Sequence, residues 1–355
     1  MNKFLILIFL VLTCGCAISG VGLRKPDSFA DLAAQKSSSR WRGFNLLNMF
    51  WKGWSWRDST FQENDFRWIH ELGFNFVRLP LDYRIWTDAT NWKILNEEKL
   101  KQIDDAIRFG QKYKIHVSIN LHHAPGYTAG DEPDGKDLWK DPDTLAAFLY
   151  QWSMFAKRYK DIPSSDLSFN LLNEPANIDA DVYQKVVRMA ASVIWDIDPK
   201  RLIVVDGLNY GKSPVPELVD LPVIQANRGY DPSFINHWSP ESDVPKPTWP
   251  MLYKSIKFDR QWLYAHNVAP WTTIQKQGVN VIVGEFGTHN KTPHKAVLAW
   301  MEDNLLNWKE AGWGWALWNF NGEFGILDSE RADVSYEEFH GHKLDRKMLN
   351  LLQKY

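Results

Sequence analysis

Short apolar runs recur along the chain, separated by longer stretches whose apolar residues fall at helical spacing. The runs predict strands over residues 41–47, 75–79, 115–121, 167–172, 201–205, 221–225, 279–283 and 314–318. Most of them end at a polar residue, a glycine or a proline. Runs this short and this uniformly apolar suit strands buried on both faces. Between the first two, residues 64–72 place Trp68, Ile69 and Leu72 on one helical face, and Gly73 ends that face. Helices are likewise expected over residues 97–113, 143–159, 181–195, 295–309 and 342–352. The one at 143–159 has Asp141 or Asp143 as its cap and Pro142 near its first turn.

Eight strands alternating with helices argue for an α/β fold built as a single (β/α)8 barrel spanning residues 41–355. The C-terminal strand ends of such a barrel form the face on which sites are built. Residues 232–270 are too long for a simple connection and carry Pro240, Pro245, Pro247 and Pro250. An excursion over the site face is expected there. No internal repeat or second domain interrupts the alternation.

The pattern before Trp41 is different. Lys3 gives a basic start, residues 4–12 are apolar and small residues follow, so residues 1–20 have the form of a signal peptide. That apolar run is too short to span a membrane. Cys14 and Cys16 both lie within residues 1–20, so the mature chain is expected to hold no internal disulfide. Gly15-Cys16 after Leu12-Thr13 resembles a lipoprotein cleavage site with Cys16 lipidated; cleavage near Ala17 to Ser19 is the alternative. Residues 21–40 are polar and read as a tether. An exported monomer is expected, attached to a membrane only through Cys16 if at all.

Composition changes this picture little. The net charge of -2 gives no reason to expect a nucleic-acid or anionic-membrane partner. The 19 tryptophans are more informative. Indole faces stack on the C–H faces of sugar rings, and Trp51, Trp54, Trp56, Trp139, Trp238 and Trp249 are candidate platforms.

The chemistry-bearing residues fall at strand ends on one face. Leu167 to Leu172 stops at Asn173-Glu174-Pro175, and Val281-Ile282-Val283 stops at Gly284-Glu285. Pro175 is expected to hold Glu174 in extended geometry. Two carboxylates on facing strand ends are what glycosidic-bond cleavage requires. The other ends contribute Asn48, Arg78, Asp82, His122, His123, Arg228, Tyr230, His237 and Trp318. His122 and His123 are adjacent, so on a strand they point to opposite faces and are poorly placed to share a metal ion.

Five of these motifs, in order, resemble glycoside hydrolase family 5, the cellulase family of retaining β-glycanases. They are Arg78 in Val-Arg-Leu-Pro, His122 in Asn-Leu-His-His-Ala-Pro-Gly, Asn173-Glu174-Pro175, Glu285 in Gly-Glu-Phe-Gly, and Trp318 in Ala-Leu-Trp-Asn-Phe. The resemblance implies that Glu174 is the proton donor and later the base, and that Glu285 is the nucleophile. Their carboxyls are then expected roughly 5–5.5 Å apart. It also implies that Arg78 and Tyr230 donate to Glu285, that Asn173 binds the sugar 2-hydroxyl, that His122 contacts the same sugar and that Trp318 is its stacking floor. No cofactor or metal is implied. One position departs from the family: the residue two before Tyr230 is usually histidine and here is Arg228. Arginine keeps a donor and adds a permanent charge. His237 is the candidate to fill the missing place.

The expected activity is endo-acting hydrolysis of a β-1,4-glucan. A β-mannanase or a mixed-linkage glucanase would use the same chemistry. A barrel that binds glycans without turnover is the second class, favoured only by Arg228. A metal-dependent barrel enzyme is the third, and it needs a ligand cluster that the adjacent histidines alone do not supply.

Overall fold

The computed structural model describes residues 40–53, 58–88, 90–130 and 135–355. The leader, the tether through Ser39, both cysteines, Trp54 and Trp56 lie outside the described residues.

Eight parallel strands close into a barrel. They are β1 (Arg42–Asn45), β2 (Phe76–Asp82), β3 (His116–Ala124), β4 (Leu167–Asn170), β5 (Leu202–Asp206), β6 (Val223–Gly229), β7 (Asn280–Phe286) and β8 (Gly314–Leu317). Each pairs with the next in sequence, and β8 closes on β1. The strand expected at 221–225 runs on to Gly229, which places Arg228 on rigid sheet instead of on a loop.

Alternate residues of a strand face the same side. One alternate set, Phe76, Leu202, Val204, Ile224, Ala226, Ile282 and Ala316 with Trp41 against it, forms a separate apolar cluster. This cluster fills the N-terminal end of the barrel interior. Two residues further along the same strands the interior turns polar: Phe76 gives way to Arg78, Val204 to Asp206 and Ala226 to Arg228. The larger core lies between the sheet and the outer helices.

The outer layer includes α1 (Glu63–Glu71), α2 (Glu97–Tyr113), α3 (Pro142–Arg158), α4 (Ala180–Ile197), α5 (His294–Ala311) and α6 (Arg346–Lys354). Caps explain several boundaries. Asp141 accepts from the Asp143 N–H at 3.0 Å at the start of α3. Asn96 accepts from the Lys99 N–H at 3.2 Å at the start of α2. Asp345 accepts from the Met348 N–H at 3.0 Å, so α6 begins at Arg346. The helix expected from His342 is therefore shorter, and His342–Leu344 forms a small hairpin with Glu337–Phe339.

The proline-rich excursion divides in two. Ser233–Asn236 lies against the loop after β7, where Thr292 Oγ1 donates to the Ile235 carbonyl at 2.7 Å. The second half does not cross the site face. Trp249 Nε1 donates to Asp303 at 2.8 Å and Arg260 Nε donates to Asn307 at 2.9 Å, and both acceptors are on α5. This half serves as the outer layer between β6 and β7.

Candidate active site

The charged end of the barrel interior is built around two arginines. Arg78 and Arg228 are 2 % and 1 % exposed. Buried guanidiniums need a full set of acceptors. Arg78 donates to Asn170 Oδ1 at 2.8 Å, Asn45 Oδ1 at 3.0 Å, Asn173 Oδ1 at 2.9 Å and Glu285 Oε1 at 2.6 Å. Arg228 donates to Glu174 Oε1 at 2.8 Å and Asn173 Oδ1 at 2.9 Å, and its Nη2 contacts Asp206 Oδ2 directly. The same Nη2 lies 3.2 Å from Glu285 Oε1. One guanidinium thus bridges the two glutamates, and Tyr230 donates to the other oxygen of Glu285 at 3.2 Å.

Space for Arg228 comes from glycine. A Cβ on Gly284 would sit 2.7 Å from Arg228 Nη1. The β6–β7 register also shifts between Val283 and Glu285, which re-aims the Glu285 side chain.

Glu174 does not adopt the extended geometry expected before proline. Its φ is 45°, a left-handed conformation that is strained for a non-glycine residue. The surroundings hold it there. Its N–H donates to Asp206 Oδ2 at 2.9 Å, and its carbonyl accepts from Tyr127 Oη at 2.7 Å. Tyr127 Oη in turn accepts from the Ala176 N–H at 2.8 Å.

The environments of the titratable groups differ sharply. Burial, then the charge of Glu285, raises Glu174 to about 7 against the pull of Arg228 and Arg78, while its side chain keeps 18 % of its surface open. Burial holds His122 well below its ordinary value, helped by His123 and Arg78. Burial, then Glu285, pushes Tyr230 well above the usual phenol range. A carboxyl poised near neutrality beside a second carboxylate that accepts from Arg78 and Tyr230 can hold and release a proton at ordinary pH.

Around this centre stand aromatic rings. Trp318 follows β8, is partly exposed, and lies 5.7 Å from the His122 ring and 5.6 Å from Phe50. His122 Nε2 lies 3.4 Å from Asn173 Nδ2. His123, expected to touch substrate, is 4 % exposed. It packs under Trp51 at 4.6 Å and Phe50 at 5.9 Å, and so supports the wall. Its ring and that of His122 are 5.7 Å apart. His237 does not take the place of the missing histidine. It is exposed, 6.2 Å from the Tyr230 ring, and among the described residues it bonds neither glutamate.

Other candidates serve the scaffold. Asp82 accepts from Arg84 and the Lys52 N–H. Asn48 donates to the Thr60 carbonyl. Trp139 packs on Tyr127 and Tyr183, and Trp238 donates to the Val244 carbonyl. Three residues of the centre escaped the sequence reading: Asn45, Asn170 and Asp206. Asp206-Gly207 marks only the end of the strand expected at 201–205, yet Asp206 is fully buried and accepts from Arg228, the Glu174 N–H and Asn170 Nδ2. The available signal was period two, which places a charge two residues beyond Val204 on an inward face.

Residues 32–324 match the family described as Cellulase (glycosyl hydrolase family 5). The chain belongs to this family. It is a glycoside hydrolase. Among relatives of this glycosyl hydrolase family 5 member, Endoglucanase C of Acetivibrio thermocellus is 27% identical over 310 residues, covering 79% of this chain and 90% of its own length. A crystal structure described as a glycoside hydrolase superimposes with TM-score 0.84 at 37% identity, covering 89% of this chain and 99% of that one. The endoglucanase Cel5A of Thermotoga maritima shares the fold, with TM-score 0.71, 22% identity and 92% and 99% coverage.

Proposed function

We propose that this glycoside hydrolase is a retaining endo-β-1,4-glucanase working by double displacement. The observation that carries the mechanism is the pair of glutamates tied to one guanidinium, one poised near neutrality and the other held by Arg78 and Tyr230. Glu174 gives its proton to the glycosidic oxygen while a carboxylate oxygen of Glu285 attacks the anomeric carbon. The bond to the leaving sugar breaks, and an ester to Glu285 forms. Glu174, now ionised, takes a proton from water. That water attacks the same carbon and frees Glu285.

The neighbours fit these steps. Asn173 Oδ1 already accepts from both arginines, so its amide nitrogen is the group left to meet the sugar 2-hydroxyl. His122, kept neutral by burial, lies beside that nitrogen. Trp318 supplies a partly open ring at the rim. The substrate assignment draws on the endoglucanase relative, which this chain covers over 90% of its length. The leader-like segment before Trp41 supports export, where polymeric glucan is met.

The test is product analysis on carboxymethylcellulose, mannan and mixed-linkage glucan, with the anomeric configuration of the first product followed by NMR. The proposal expects a rise in reducing ends on carboxymethylcellulose and a β-configured first product. Activity on mannan alone would replace the substrate, and an α-configured first product would overturn the double displacement.

A further inference from the structure

Count the fixed charges at the centre of the site. Two buried guanidiniums, Arg78 and Arg228, face three carboxyl groups, Glu174, Asp206 and Glu285. The set is neutral when it holds one proton. Asp206 is fully buried and its oxygens are occupied by Arg228, Asn170 Nδ2 and the Glu174 N–H. Glu285 is 3 % exposed and takes Arg78 and Tyr230. Glu174 alone among the three keeps an open edge. Arg228 sets a problem for this arrangement, because a permanent cation 2.8 Å from Glu174 favours its ionised form.

We propose that Asp206 is a positioning residue that takes up the charge of Arg228, so that Glu174 keeps its proton for the leaving group. The proposal rests on the reading of Glu174 as the acid. Asp206 acts on Glu174 through two paths. It meets the Arg228 nitrogen next to the bond to Glu174, so the cation is shared instead of directed at the acid. It also accepts the Glu174 N–H and so fixes the strained backbone that aims the carboxyl. The other titratable groups around the pair are His122 on β3, Tyr127 just beyond it, Tyr183 on α4, whose hydroxyl donates to the Asp206 carbonyl at 2.8 Å, and Tyr230 after β6. Burial keeps all four uncharged near neutrality. None of them replaces the negative charge that Asp206 brings.

The experiment measures kcat/KM against pH on cellotetraose and on 2,4-dinitrophenyl β-cellobioside, whose leaving group needs no proton. Wild type is compared with D206N, R228Q, the D206N/R228Q double variant and E174Q. On cellotetraose the alkaline limb of D206N is expected to fall by about one pH unit or more, and that of R228Q to rise by a similar amount. The double variant returns close to wild type. The dinitrophenyl substrate shows no such movement in the glycosylation step. An alkaline limb unmoved in D206N, while E174Q loses cellotetraose turnover, overturns the role of Asp206 and leaves Glu174 as the acid. Full cellotetraose turnover by E174Q removes the reading beneath it. If D206N alone does not fold, D206N/R228Q is compared with R228Q: a lower alkaline limb in the double variant supports the role of Asp206, and equal limbs refute it.

Discussion

Replacing Glu174 by glutamine probes the electrostatics of the site without any turnover. The carboxyl sits among protein atoms beside Glu285, and its pKa stands at about 7 against an ordinary 4.5. At about 1.4 kcal/mol per pH unit, that displacement amounts to about 3 kcal/mol of folding free energy. The sign follows from which state binds the proton more tightly. Below pH 4.5 the acid is neutral in both the folded and unfolded chain, and folding is unopposed by its charge. Between 4.5 and 7 the unfolded chain ionises freely while the folded site holds the proton, so stability declines as pH rises. Wild type should therefore lose about 3 kcal/mol relative to Glu174→Gln across that window. The assay is guanidinium unfolding of both proteins at several values from pH 4 to 8. Asp65, which burial raises to about 6, titrates in both proteins and cancels in the difference. Stabilities that run parallel over the whole window would refute the reasoning. The variant Glu285→Gln supplies a second check, because it removes the neighbouring charge and should shrink the slope.

Other outcomes follow from the same contacts. Glu174→Gln should slow unactivated substrates by about 10²–10⁴-fold while oligosaccharide binding persists, measured by steady-state kinetics and calorimetry. Gly284→Ala puts a methyl 2.7 Å from Arg228 Nη1, so it should cost about 1–3 kcal/mol in thermal unfolding and lower kcat together. Trp318→Ala leaves the carboxylates in place and should raise KM on cello-oligosaccharides more than it lowers kcat.

Much of the fold was written in periodicity. Val204 and Ala226 are apolar because they face the packed interior. Asp206 and Arg228 follow at the same spacing because the interior is polar where it opens. The charged set beside Arg78 and the two glutamates was legible as motifs at strand ends. What escaped was partnership. Arg228 was visible as a departure, but nothing in the string shows that Asp206, more than twenty residues earlier, lies against it. That contact depends on β5 and β6 standing side by side. The backbone at Glu174 departs from its local expectation for a similar reason. The local effect of Pro175 favours extension, whereas distant groups, Asp206 and Tyr127, hold the peptide in the left-handed region. Tryptophan was ambiguous in principle. Trp51 and Trp318 line the rim, while Trp139, Trp238 and Trp249 pin loops and helices. The indole ring serves a sugar and a packed loop equally well.

The claim that two glutamates divide the work is tested most directly by trapping the intermediate. A 2-deoxy-2-fluoro-β-cellobioside with a good leaving group forms the ester but hydrolyses it slowly. Peptide mass spectrometry should then find one added 2-deoxy-2-fluorocellobiosyl group on the peptide holding Glu285, with no label in Glu285→Gln. Label on Glu174, or inactivation-free turnover with no covalent adduct, would contradict the account.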